Sequence, residues 1–109
     1  MICVSKDLSM KRPFGARIVM NIESGEVIYK YPLELGTNHV SLPARAKILT
    51  VNCKDGIHLY AIINRNQETV TRKFLVIGTG TYFVNTKNYE YIGTVEEGIY
   101  IWHIFEVLN

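Results

Sequence analysis

A chain of 109 residues that is 48% hydrophobic and 20% charged has the composition of one globular domain, which excludes a disordered or fibrous chain. Its formal charge of +2 is concentrated at the front: residues 1–20 hold four cations against one anion, whereas residues 21–109 hold 8 cations against 9 anions. A near-neutral body lacks the broad cationic face on which nucleic-acid polymers are held, so polymeric DNA or RNA is not expected as a partner.

The N-terminal MICVSKDLSM places Lys6 and Asp7 where a signal peptide needs an unbroken apolar stretch, and no run approaches the length of a membrane span. The expectation is a cytosolic protein with no membrane partner. Cys3 and Cys53 have no metal-ligand spacing and read as free thiols, so neither a metal nor a disulfide framework is expected. Residues 1–24, with Lys-Arg-Pro-Phe-Gly at 11–15, read as a basic extension in which Arg17 to Ile22 can add an edge strand. Residues 25–109 read as a single domain.

From Gly25 onward the apolar residues recur with period two and are often β-branched or aromatic, with Gly, Pro, Asn and Asp between the runs. Strands are expected at Glu26 to Tyr31, His39 to Leu42, Lys47 to Cys53, Ile57 to Ile63, Thr69 to Ile77, Tyr89 to Val95 and Ile99 to Val107. Pro32 is expected to end the first. Lys54-Asp55-Gly56 predicts a hairpin, with Leu49, Val51 and Cys53 on one face and Ile57, Leu59, Ala61 and Ile63 on one face of the next strand. A second hairpin is expected to turn at Glu96-Glu97-Gly98. No segment sustains a helical period. The predicted fold is all-β: a small antiparallel sandwich or partly open barrel of six to seven short strands.

In FLVIGTGTYF, residues 74–83, a strand runs into Gly78-Thr79-Gly80-Thr81. Such a loop can expose backbone N–H groups as an anion-binding nest, with the Thr79 and Thr81 hydroxyls beside it. Nucleotide signatures of this kind also need a following helix or a Lys-Ser/Thr pair, and Thr81-Tyr82-Phe83 has neither, which favours a plain turn. In the last strand, Ile99, Ile101, His103, Phe105 and Val107 alternate with Tyr100, Trp102, Ile104 and Glu106. The first set is the expected core face, with His103 satisfied by a backbone or hydroxyl partner. Tyr100 and Trp102 then seal a second layer or an interface, or stack on a planar ligand. In EVIYKYPLEL, Tyr29 and Tyr31 leave one face and Lys30 the other, an arrangement suited to a base and a phosphate or to core tyrosines beside a solvated lysine. Arg72 and Lys73 place a cation on each face of the strand that leads to the Gly-Thr loop. His39, His58 and His103 have no adjacent nucleophile and no paired carboxylates, so an enzyme is not expected; phosphodiester hydrolysis is the catalytic alternative.

In order along the chain, IYKYPLEL (28–35), SLPARAKIL (41–49), VIGTGT (76–81), YIGT (91–94) and WHIFEV (102–107) resemble a family of small phage proteins over residues 26–107; the first twenty-five residues depart from its shorter members. The family resembles the anti-CBASS sponge proteins, β-rich homo-oligomers that sequester a cyclic dinucleotide such as cGAMP in the cytoplasm of the infected bacterial host without cleaving it. The resemblance implies a dimer or tetramer, a cyclic dinucleotide as ligand and no cofactor. On chemical grounds Gly78, Thr79, Gly80, Thr81 and Lys30 then become phosphate-side candidates, with Arg72 and Lys73 as further cations, and Tyr29, Tyr31, Tyr100 and Trp102 become base-side candidates. The competing expectation is a virion structural or assembly protein whose exposed aromatics make protein contacts.

Overall fold

The computed structural model describes residues 25–83 and 88–108; the expected edge strand at Arg17 to Ile22 and Cys3 lie outside them. Seven strands follow one another: β1 (Glu26–Leu33), β2 (Gly36–Pro43), β3 (Lys47–Cys53), β4 (Ile57–Asn64), β5 (Thr69–Gly78), β6 (Tyr89–Glu97) and β7 (Tyr100–Val107). They form two antiparallel sheets, one ordered β1-β4-β3 and the other β2-β5-β7-β6. The expected sandwich is the observed architecture, and it does not close into a barrel.

β4 shows most simply why the chain folds this way. Ile57, Leu59, Ala61 and Ile63 are buried while His58, Tyr60, Ile62 and Asn64 between them are only half-buried, so period two translates directly into an inner and an outer face. Across the core these residues meet Val40, Leu42, Phe74, Val76 and Ile104 of the other sheet. At about 25 cal/mol per Å2 of apolar surface removed from water, this shared layer supplies the main stabilisation.

Apart from shifts of one to three residues at strand ends, among them the start of β2 at Gly36 and not His39, the strands differ from expectation in three places, each with a local cause. β1 continues through Pro32, which is paired with His58. As an edge strand, β1 can carry a residue without an N–H on its free side. In β3 a bulge between Ile48 and Thr50 puts Ile48, rather than Leu49, in line with Val51 and Cys53. Leu49 is therefore 41% exposed, because a bulge inserts one residue and flips the alternation beyond it. The Lys54-Asp55-Gly56 hairpin forms as expected, with positive φ at Asp55 and Gly56. The second hairpin turns at Gly98-Ile99 and not at Glu96-Glu97-Gly98, since Glu97 is paired with Tyr100.

The largest correction concerns β7. Its core face is Trp102, Ile104 and Glu106, opposite to the face that its apolar residues predicted: Ile104 is 0% exposed, Glu106 is buried, and Ile99 and Ile101 are exposed. A carboxylate is tolerated there because Arg72 of β5 reaches it. Arg72 Nε donates to Glu106 Oε2 at 2.7 Å, Nη2 donates to Oε1 at 2.8 Å, and Nη1 donates to the Ala46 carbonyl at 2.6 Å. The Glu106 hydrogen bond is the main reason the Arg72 guanidinium holds its proton even more firmly than usual; burial opposes this, and the charges of Glu106 and Glu90 add to it. A forked pair with a further N–H given to a backbone carbonyl is the form in which a buried charge is tolerated.

The two sheets approach closely where Val51 of β3 faces Gly93 of β6: a Cβ on Gly93 would lie 2.8 Å from Val51 Cγ2. Gly93→Val is expected to destabilise the fold by about 1–3 kcal/mol through overpacking. Paired with Val51→Ala, which vacates the same volume, it should recover part of that loss in chemical denaturation. Additive losses would mean that the two strands do not touch.

Candidate functional site

The Gly-Thr stretch is a closed turn at the end of β5. Thr81 N donates to the Gly78 carbonyl at 3.1 Å, and Thr79 N donates to the Ile101 carbonyl at 3.2 Å. With both amides committed to carbonyls, the successive free N–H groups of an anion nest are missing within one chain. Gly78 has a further reason to be glycine. It is paired with Trp102 on β7, and a Cβ there would meet the indole at 3.0 Å.

Trp102 in turn organises an aromatic platform. Its ring stacks on Tyr100, with centroids 5.6 Å apart and planes 17° from parallel, as residues two apart on one face of a strand allow. Trp102 Nε1 donates to Glu97 Oε1 at 3.0 Å, fixing the indole across the Gly98-Ile99 hairpin. Trp102 packs against the core while Tyr100 is 57% exposed, so one end of the stack is anchored and the other is free to meet a planar group.

The other expected site residues are dispersed. Tyr29 and Tyr31 share the inner face of β1 with centroids 6.5 Å apart, and Arg65 Nη1 donates to the Tyr29 hydroxyl at 3.0 Å. Burial, then the neighbouring Tyr29 phenol, pushes the Tyr31 phenol up from its ordinary value. Lys30 leaves the opposite, exposed face of β1. Arg72 and Lys73 do sit on opposite faces of β5, but Arg72 is held by Glu106 and Ala46, while Lys73 lies on the outer side opposite Val107. The cavity of about 410 Å3 beside Arg72, lined also by Lys47, Ile48, Glu90 and Glu106, therefore meets a guanidinium that is already engaged. Among the expected residues, the structure brings together Gly78, Tyr100 and Trp102, with Thr79 alongside.

His103 has hydroxyl partners on both ring nitrogens: Thr79 Oγ1 lies 2.7 Å from Nε2 and Thr94 Oγ1 3.1 Å from Nδ1, with the Tyr91 hydroxyl 2.6 Å beyond Thr94. Hydroxyl satisfaction was the expected state of His103, though on the outer face of its sheet and not in the core. Sequence reasoning missed Glu97, Thr94, Tyr91 and Arg65. Glu97 was within reach of it, because a two-residue hairpin at Gly98-Ile99 puts Glu97 opposite Tyr100 and diagonal to Trp102 on the same face. Among the described residues, no group of three or more His, Cys, Asp or Glu is gathered to hold a metal.

Fold and platform together define a small all-β two-sheet protein that presents an anchored aromatic stack at one end of its four-stranded sheet. Residues 24–109 match the model of a family described as a domain of unknown function, DUF7352, and the chain belongs to that family. No curated protein and no solved structure matches the chain.

Proposed function

We propose that the protein is a phage immune-evasion protein that binds a cyclic dinucleotide defence signal and sequesters it without cleavage in the cytoplasm of the infected host. The observation that carries this reading is the Tyr100–Trp102 stack, held from below by Gly78 and at its edge by Glu97, with the Tyr100 ring exposed. Base-on-aromatic stacking contributes about 1–3 kcal/mol per base and requires no catalytic group, which suits a protein that retains its ligand. The phosphates fall to groups other than the Thr79 and Thr81 amides. Lys30, without a carboxylate partner among the described residues, lies on a face away from the stack, so the reading calls for a second copy to complete the site. A ligand with twofold character matches that requirement.

Calorimetric titration with a panel of cyclic dinucleotides, followed by heat release and chromatography, tests the proposal. Tight binding with intact ligand recovered is the expected result, and Tyr100→Ala should weaken it about 5- to 150-fold at unchanged melting temperature. Linear products would make the protein a phosphodiesterase, and silence across the panel removes the sequestration reading. A second reading, a virion structural or assembly protein, is favoured by the exposure of Leu35, Tyr82, Ile99 and Ile101 in addition to Tyr100, more apolar surface than one nucleotide covers. Co-sedimentation with purified particles would support it.

A further inference from the structure

Over β5, β7 and β6 the outer face of the four-stranded sheet is largely apolar, continuous and covered by no described strand, while β2 adds Thr37, His39 and Ser41 along its edge. Strand pairing places Leu75 and Ile77 of β5, Ile101, His103, Phe105 and Val107 of β7, and Tyr89, Tyr91 and Thr94 of β6 on this one side. Phe105 sits at its centre. Its ring is 5.0 Å from Phe83, 6.0 Å from Tyr89 and 5.5 Å from Tyr91, all edge to face. At about 4.8 Å between strands and 3.3 Å per residue, three strands of seven residues present on the order of 300 Å2 before side-chain relief, within the size range of the largest apolar patch on a monomer, which is often functional.

Two features select the occupant. The polar groups in the middle of the face satisfy one another: both nitrogens of His103 meet threonine hydroxyls, and Thr94 meets the Tyr91 hydroxyl. Such a face can be buried without leaving those groups unpaired. Its charges, moreover, stand at opposite ends. Lys73, with His39 beside it, lies across from Val107 at one end, and Glu96 lies across from Ile101 at the other. Two copies stacked face to face about a twofold axis that lies in the interface plane and runs perpendicular to the line from Lys73 on β5 to Glu96 on β6 bring Lys73 of each over Glu96 of the other. A lipid surface would require a basic rim, whereas this face is self-complementary.

We infer that the outer face of β2-β5-β7-β6 is the interface of a homodimer, packed sheet on sheet with Lys73 of one copy opposite Glu96 of its partner. This inference does not rest on the ligand reading. It gives His103 and its threonines a role: they make a polar network compatible with a dry interface.

Sedimentation velocity of the full chain over a wide concentration range provides the test. A reversible dimer is expected. Lys73→Glu and Glu96→Lys should each weaken dimerisation about tenfold, since the twofold axis makes every contact twice, and the double exchange K73E/E96K should restore it. Circular dichroism confirms that each variant is folded. A chain that stays monomeric at all concentrations overturns the proposal and points to a different occupant of this face. A dimer indifferent to the single changes, or not restored by the double exchange, overturns the stated packing.

Discussion

Arg72→Met is expected to destabilise the protein by about 3–5 kcal/mol, because it leaves the Glu106 carboxylate buried between the sheets without its forked partner. The loss is due to desolvation more than to the attraction removed, since Glu106 has only a tenth of its side chain accessible. Glu106→Leu in the same background should restore most of the stability, since an apolar pair of similar volume requires no desolvation of charge. Urea denaturation of the wild type, both single variants and the double variant closes the cycle. A double variant whose loss equals the sum of the two single losses would show that the pair has little energetic coupling and that Arg72 acts chiefly through the Ala46 carbonyl.

Phe74→Ala is expected to cost about 3–5 kcal/mol as well, by a different mechanism. Phe74 is 0% exposed on the inner face of β5, paired with Glu106 of β7 and Asn38 of β2, in a layer whose neighbours come from both sheets and cannot collapse into the vacated space. At about 4–8 °C per kcal/mol for a domain of this size, the loss lowers the melting temperature enough to unfold a marginal protein. Phe105→Ala is the matched control. Phe105 belongs to the outer aromatic cluster and is only half-buried, so at a concentration where the chain is monomeric it should cost clearly less. Equal losses would mean that the two faces of the sheet are buried alike.

Much of the fold was legible because β-structure writes itself with period two. β4 alternates cleanly from Ile57 to Asn64, and the Asp55-Gly56 pair supplies the positive φ that its hairpin requires. The bulges of β3 and β6 were not legible, because a one-residue insertion leaves no mark in composition and reveals itself only against the partner strand. The candidate site was legible in part. Tyr100 and Trp102 stood out as aromatics two residues apart, and they do stack. The Gly-Thr turn drew attention for its possible amides, yet its first glycine is there to admit the indole of Trp102, twenty-four residues later in the chain.

What the sequence determined by itself was the fold class, most strand positions and the residue types available for binding, all of which follow from local periodicity and turn chemistry. Which face of β7 is inside was decided only by the tertiary structure. By apolar count Ile101, His103, Phe105 and Val107 should have been buried, but Arg72, thirty-four residues away on β5, neutralises Glu106 and lets the other face turn inward. The same inversion places an aromatic face on the outside and the Tyr100–Trp102 stack at the end of the core. The energy of burying a charge depends on the partner that folding brings to it, and that partner is set by strand pairing over long sequence separations.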